Sequence, residues 1–498
     1  MSGWTNLGSA VFKGDPERLA LVDLGGDSPP RRYSFAAVDR AADAIARSLR
    51  ERNLSPCDRV AILSANRAEF LFAFLGTMRA GYVSVPINTK LPAATVRAVL
   101  DDCDARLVFV DGAHRDLLPN TLPSVAMEEF AAFTATAGDT PFAATDPPPN
   151  EPAMFLYTSG STGRPKGVVL SHYSHLWVLE VRMRRADLDD QRVQVAAPLY
   201  HMNGLAMSQL TLASGGLLVL LPGFTARSYI EAAADWRTTA LTSVPPMIAM
   251  MLQEPDLLAA SNLTAVQSIR MGSAPITQAL VDRTRHYFPN AQISNGYGTT
   301  EAGPIVFGPH PGGKPTPDTS LGCAHTDVEL RLMRDGTPVA VEGVMQMRCP
   351  AMMNAYHKLP EATAKALTAD GFYITGDVFS RDADGFFRFV GRADDMFVSG
   401  GENIYPGEVE TILEAHPAVA QACVVPLPDE IKGTKPAAFV VRRAGATVSE
   451  EDLRQYVLAR APAYAHPRQV WFVASLPLAG TNKVDRKALL QQALERAE

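Results

Sequence analysis

Long apolar runs are missing from this 498-residue sequence: the longest, residues 215–221, falls far short of the ~20 residues a bilayer crossing needs. Cysteine is scarce as well. Cys57, Cys103, Cys323, Cys349 and Cys423 lie far apart, without C-x-x-C spacing or histidine clusters, which argues against a disulfide framework or a zinc site and for buried free thiols. No excess of positive charge exists either. A net charge of −7 supplies no field for a nucleic acid backbone or an anionic membrane, so any anionic ligand must be met locally. The first twenty residues carry early charges and no apolar core of the secretory kind, so a cytoplasmic protein without an integral membrane segment is expected. What remains is ordinary: 47% apolar and 20% charged residues, in a chain long enough for two or more domains.

Along the chain, Val38, Ala42, Ile45 and Leu49 share one helical face behind Ser34, a plausible N-cap. A strand at 59–64, a helix at 69–78, a strand at 83–85, a helix at 93–101 and a strand at 107–111 give a βαβ rhythm and a largely parallel sheet. Strands at 154–157, 193–197, 217–221, 241–244 and 293–295 predict a second α/β sheet. The Ala-, Thr- and Pro-rich stretch 134–152 reads as an exposed connection. Beyond residue 312, short strands separated by Asp335-Gly336, Asp370-Gly371 and Asp384-Gly385 predict antiparallel hairpins or a small barrel. An α+β tail follows from Asp394.

The chemistry gathers in a few segments. Tyr157-Thr158-Ser159-Gly160-Ser161-Thr162-Gly163-Arg164-Pro165-Lys166-Gly167 follows a predicted strand, and its small hydroxyl residues, glycines and lysine suit a phosphate cradle. It is not a Walker A loop, because Pro165 stands where the second glycine belongs. This segment resembles the signature loop of the adenylate-forming superfamily: acyl-CoA synthetases, peptide-synthetase adenylation domains and luciferases. Further motifs in that family's order cover the chain from about Tyr33 to Leu489.

The resemblance implies roles. In Asn295-Gly296-Tyr297-Gly298-Thr299-Thr300-Glu301, Tyr297 stacks on adenine, Thr300 meets the α-phosphate and Glu301, with Thr158, holds Mg²⁺. Gly272, Ser273, Ala274 and Pro275, after Met271, let the backbone approach the nucleotide and the acyl pocket. Asp377, in Tyr373-Ile374-Thr375-Gly376-Asp377, accepts from the ribose hydroxyls, and Arg392 contacts the nucleotide. Asp394 is the hinge, and Gly400 and Gly401 line the pantetheine tunnel for coenzyme A. Lys483, in Leu478-Ala479-Gly480-Thr481-Asn482-Lys483-Val484-Asp485, is the mobile catalytic lysine, with Asn482 standing where the family commonly has glycine. The implied fold is a large N-terminal domain (1–393) of two α/β sheets plus a small β-barrel, and a smaller mobile α+β domain (394–498). The implied activity is acid–CoA ligation, using ATP, Mg²⁺ and coenzyme A, in a monomer or homodimer.

The acid is read from the pocket. By resemblance, His201 is the gate, and Met202, Gly204, Met207, Met271 and Gly296 line the acyl site. Amino-acid-activating relatives carry an Asp near His201-Met202-Asn203; its absence argues against a free α-amino acid. Malonate-activating relatives carry Arg where Gly296 stands, so a dicarboxylate is disfavoured unless another Arg enters. With Met247, Met250 and Met251 nearby in sequence, the expected substrate is a neutral hydrophobic aryl, alicyclic or medium-chain acid. The chain stops soon after the lysine motif without a carrier domain, which favours free coenzyme A as acceptor. The alternatives are an enzyme that loads a carrier protein and a catalytically silent nucleotide-binding paralogue.

Overall fold

The computed structural model describes residues 3–25, 29–135, 138, 140–159, 165–184, 190–399, 402–480 and 483–497, with backbone alone at Ser159, Asn403 and Ala497. Its first α/β sheet runs in the order Ala355–Tyr356, Pro165–Ser171, Pro152–Ser159, Val83–Pro86, Arg59–Leu63, Ala105–Val110, Ser124–Ala126. The central strands are parallel and buried on both faces, which is why they read as unbroken apolar runs such as Val60-Ala61-Ile62-Leu63. The helix Phe35–Arg50 begins where expected, with the Ser34 side chain accepting from the Ala37 N–H at 3.2 Å.

The second sheet runs Gln292–Gly296, Ser268–Gly272, Ala240–Ser243, Arg192–Val195, Leu217–Leu220, Leu19–Asp23, Arg31–Ser34, all parallel except the last pair. One placement differs from the sequence reading, and two strands lie outside it. The strand at 154–157 belongs to the first sheet, because an antiparallel hairpin, Pro152–Ser159 with Pro165–Ser171, joins that sheet beside Val83–Pro86. The two strands before the first helix sit at the far edge of the second sheet. Arg31-Arg32-Tyr33-Ser34 shows no alternation because an edge strand has little to bury.

The hairpins after residue 312 form a five-stranded antiparallel sheet, Thr337–Val339, Glu329–Arg334, Glu342–Arg348, Tyr373–Arg381, Phe387–Arg392. The glycine of each Asp-Gly pair takes positive φ: +76° at Gly336, +81° at Gly371 and +87° at Gly385. Beyond it, Phe397–Ser399, Glu402–Ile404, Val419–Asp429, Gly433–Arg442 and Gln469–Phe472 form another sheet. Its core residues, among them Leu413, Val424, Val440, Phe439 and Leu489, cluster only with residues from Phe397 onward. Among the described residues no helix is long and apolar enough to cross a membrane.

Candidate active site

The carboxyl-terminal ends of Ser268–Gly272 and Gln292–Gly296 lie side by side, the usual place for ligand contacts in a parallel sheet. The chain leaves Gln292–Gly296 directly into Tyr297. The Tyr297 hydroxyl donates to the Asp377 carboxylate, and its ring stands edge-on to Phe379 with centroids 4.9 Å apart. Asp377 is buried and receives Arg392 Nη1 at 3.1 Å, while its own N–H bonds Thr375 Oγ1 at 3.0 Å. Burial pushes the Asp377 pKa up, against the pull of Arg392. Arg392 also grips Asp394, with Nε to Oδ1 at 2.8 Å and Nη2 to Oδ2 at 3.2 Å. The expected adenine face, ribose acceptor, nucleotide arginine and hinge carboxylate therefore form one connected chain.

A second group stands at the hairpin. Thr158 faces Lys166 across the ladder, and Lys166 Nζ lies 5.0 Å from the centre of the Tyr356 ring. The Tyr356 hydroxyl donates to Glu301 Oε1 at 2.9 Å. Tyr356 thus links the phosphate hairpin to Glu301, a role its short edge strand gave no sign of. Glu301 and the Thr158 hydroxyl are hard oxygen donors, and among the described residues no group of three His, Cys, Asp or Glu side chains gathers. Such a donor set fits Mg²⁺ that arrives with phosphate oxygens rather than in a protein cage. The tip of the hairpin, with Gly160, Ser161, Thr162, Gly163 and the Ser159 side chain, lies outside the described residues, as do Gly400 and Gly401.

Between these groups the backbone is braced. Asn295 Nδ2 donates to the Thr319 carbonyl at 3.3 Å, and Thr299 Oγ1 accepts from the Ala302 N–H at 3.0 Å. Both side chains are engaged in shaping the turn through Gly298 that presents half-buried Thr300 and Glu301. The Ser273 N–H bonds the Gly296 carbonyl at 3.3 Å next to Gly272, and Ala274 and exposed Pro275 continue that loop.

Lys483 comes from the last hairpin, which Ala479 N–H closes onto the Lys483 carbonyl at 2.7 Å. This turn lies against the N-terminal part of the chain: the Tyr200 hydroxyl donates to the Gly480 carbonyl at 3.3 Å. Burial pulls the Lys483 pKa below the ordinary lysine value, with Asp377 favouring the charged form and Arg392 opposing it. His201, at the N-terminus of the helix Met202–Ser214, has its pKa pushed down to about 4 by burial and then by the Lys483 charge. Its ring is neutral, and its buried Nε2 has no partner among the described residues.

The acyl pocket needs three corrections. Met271 is fully buried in the core beside Leu241, Met247 and Met251, because alternation along Ser268–Gly272 turns it away from the face that carries Arg270. Gly204 is a packing position, since a Cβ there would meet the Ala197 carbonyl oxygen at 2.5 Å. The surroundings of Gly296 are not free of cations: a Cβ on Gly296 would lie 2.7 Å from Arg270 Nη2. Met202 and Met207 are half-buried, and Met207 Sδ receives Arg182 Nη1 at 3.1 Å. Burial lowers the pKa of Arg270, and burial together with the Arg270 charge lowers that of Arg182 to about 9. A separate surface pocket lined by Phe12, Asp39, Arg47 and Pro141 shares no residue with this site.

Comparison with known proteins agrees with this geometry. The profile of the AMP-binding enzyme family matches residues 9–357, and that of the AMP-binding enzyme C-terminal domain matches 408–483. A feruloyl-CoA synthase of Amycolatopsis sp is 33% identical, over 91% of this chain and 92% of its own. A fatty acid–[acyl-carrier-protein] ligase of Streptomyces coeruleorubidus is 32% identical, over 92% and 91%. Among solved structures, an anthranilate CoA ligase in complex with anthranoyl-AMP superposes with a TM-score of 0.90 at 25% identity, covering 99% of this chain and 98% of that one.

Proposed function

The chain belongs to the AMP-binding enzyme family, and from that premise we propose how its residues divide two half-reactions within one site. The enzyme is an AMP-forming acid–thiol ligase, with ATP, Mg²⁺ and coenzyme A as co-substrates. In the first half-reaction a substrate carboxylate oxygen attacks the α-phosphorus of ATP, a P–O bond forms, and pyrophosphate leaves. In the second, the coenzyme A thiol, losing its proton, attacks the acyl carbonyl and expels AMP.

The supporting observation is the seat of half-buried Lys483, where the Asp377 and Arg392 charges act on it and its own charge reaches His201. An ammonium there neutralises charge that builds between carboxylate and phosphate, more effectively than one in water. Asp377, held by Tyr297 and Arg392, accepts from ribose, and Tyr297 offers its ring to adenine. Lys166 faces the outer phosphates. Thr158 and Glu301 would hold Mg²⁺, which supplies electrostatic neutralisation of those phosphates.

We place the domain boundary at 393/394, where Arg392 and Asp394 clasp each other. The present arrangement, with Lys483 seated, suits adenylation. Thioester formation requires its withdrawal by rotation about Asp394. Lys483→Ala is expected to slow acid-dependent pyrophosphate exchange by roughly 1,000-fold while sparing thioester formation from supplied acyl-adenylate. Equal loss of both steps would refute the assignment. Asp394→Pro should do the reverse. The carrier-protein relative motivates one competing acceptor, and AMP release with free coenzyme A against a pantetheinylated carrier decides between them. The expected neutral hydrophobic acid rested in part on the lack of an Arg where Gly296 stands, and Arg270 beside Gly296 removes that part.

A further inference from the structure

Deep guanidinium groups in this protein are, as a rule, paired with carboxylates. Arg79, with its side chain 4% exposed, meets Asp43 at 2.6 Å and Asp39 at 2.5 Å, and Arg486 meets Glu410 at 2.5 Å. The pattern follows from the expense of an unpaired buried charge. Arg182 and Arg270, both half-buried, break it. Among the described residues neither meets a carboxylate, and the Arg270 charge reaches Arg182 and lowers its pKa. Arg182 Nη1 has Met207 Sδ, a weak acceptor, at 3.1 Å. The Arg270 guanidinium lies along Gly296, with Nη2, Cζ and Nε at 2.7, 2.9 and 3.0 Å from where a Cβ would stand, a fit that only glycine permits.

The other polar groups here are donors as well. Thr242 and Arg270 are registered neighbours on parallel strands, so their side chains share one face of the sheet. Thr242 Oγ1 donates to Asn203 Oδ1 at 3.3 Å, which leaves Asn203 Nδ2 buried without a partner among the described residues. Asn203 and Met207 sit one turn apart on Met202–Ser214, which returns the circuit to Arg182. Two guanidinium groups and an unsatisfied amide N–H₂ thus gather at the proposed acyl end, and among the described residues no carboxylate answers them.

We infer that the acid this enzyme activates carries a second oxyanion, a carboxylate or sulfonate at the far end of the acyl group, held between Arg182 and Arg270. The inference rests on the ligase reading above and deepens it. One carboxylate is adenylated beside Lys483. The other stays ionised, repays the burial of the two arginines and selects the substrate. A neutral hydrophobic acid leaves both charges unpaired.

The test is acid-dependent pyrophosphate exchange across three chain-matched series of several spacer lengths: α,ω-dicarboxylates, ω-sulfonated carboxylates and plain monocarboxylates. The best diacid or sulfo-acid is expected to exceed its monocarboxylate match in kcat/KM by roughly 100-fold or more, as for other sites whose polar groups would be stranded by the lesser substrate. The diacid-to-sulfonate ratio names the oxyanion. Arg270→Met and Arg182→Met should each bring the preference toward one, with the KM for ATP within about twofold of the parent. Arg270→Gln, which keeps length and donors but not charge, serves should the Met variant fail to fold. Monocarboxylates preferred by the parent, or a preference the arginine variants leave intact, would overturn the inference while leaving the ligase reading standing. A rise in the ATP KM of Arg270→Met alongside the lost preference would reassign the arginines to the nucleotide and overturn it too. Exchange with no acid of any series would sink the ligase reading itself.

Discussion

The proposed nucleotide end of the site and its proposed acyl end treat charge in opposite ways. Around Asp377 each charged group already has an answer: Tyr297 and Arg392 on the carboxylate, Asp394 on Arg392, Tyr356 on Glu301 and against Lys166. At the proposed acyl end, among the described residues, Arg182 and Arg270 meet no carboxylate, and His201 Nε2 and Asn203 Nδ2 are buried without a partner. A ligand that is the same in every turnover permits a preorganised, self-satisfied shell, which holds its geometry before the ligand arrives. A shell completed only by the right substrate gives selectivity instead, because a wrong substrate leaves buried polar groups unpaired.

Substitutions at the two ends should separate along the same line. The largest effect belongs to the nucleotide end. Asp377→Asn removes the charge that orients Arg392, so kcat/KM for ATP is expected to fall by roughly 100-fold, the scale of a buried charge-assisted hydrogen bond. The ratio of kcat/KM values between acids should hardly move, and initial rates at varied ATP and at varied acid measure both. A large change in acid preference would mean that the two ends are not independent. At the acyl end, Gly296→Ala places a methyl group where the Arg270 guanidinium now lies, and the flexible end of the arginine must swing aside. The KM for the best acid is expected to rise roughly tenfold, the value of one misplaced charged contact, with the ATP KM little changed. If the ATP KM rises equally, Gly296 serves the nucleotide and the contrast between the ends collapses.

The same contrast governs what the sequence discloses. Lys166, Tyr297, Glu301, Asp377, Arg392 and Lys483 all lie in short contiguous segments, and the resemblance of those segments, in their order, to the motifs of one family made them legible. Arg182 stands in Val181-Arg182-Met183-Arg184, which reads as a basic helix end, and only the packing of that helix on Met202–Ser214 turns it inward. Arg270 and Met271 are adjacent in sequence and opposite in fate, because strand alternation sends one to the site and the other to the core. Which face is which depends on a sheet order that local pattern does not contain. The fold divides likewise: the βαβ rhythm from 59 to 110 was legible from apolar runs, whereas the membership of Pro152–Ser159 in the first sheet depends on non-local pairing with Val83–Pro86.

The last expected effect lies at the junction of the two ends, where His201 feels Lys483. Burial first, and the lysine charge second, hold the His201 pKa at about 4 instead of 6.5. The folded protein therefore refuses a proton that the unfolded chain accepts. The stability His201 contributes is fully present above pH 6.5 and is lost as the pH falls to about 4, on the order of 3 kcal/mol at most. NMR titration of the His201 ring checks this directly, and in Lys483→Ala its pKa should rise, because a like charge is gone while burial remains. A ring that titrates near 6.5 in the parent would mean that the lysine hairpin is seldom seated on Tyr200 in solution. The adenylation arrangement would then be one that substrates must assemble, and the preorganisation credited to the nucleotide end would stop at Asp377 and Arg392.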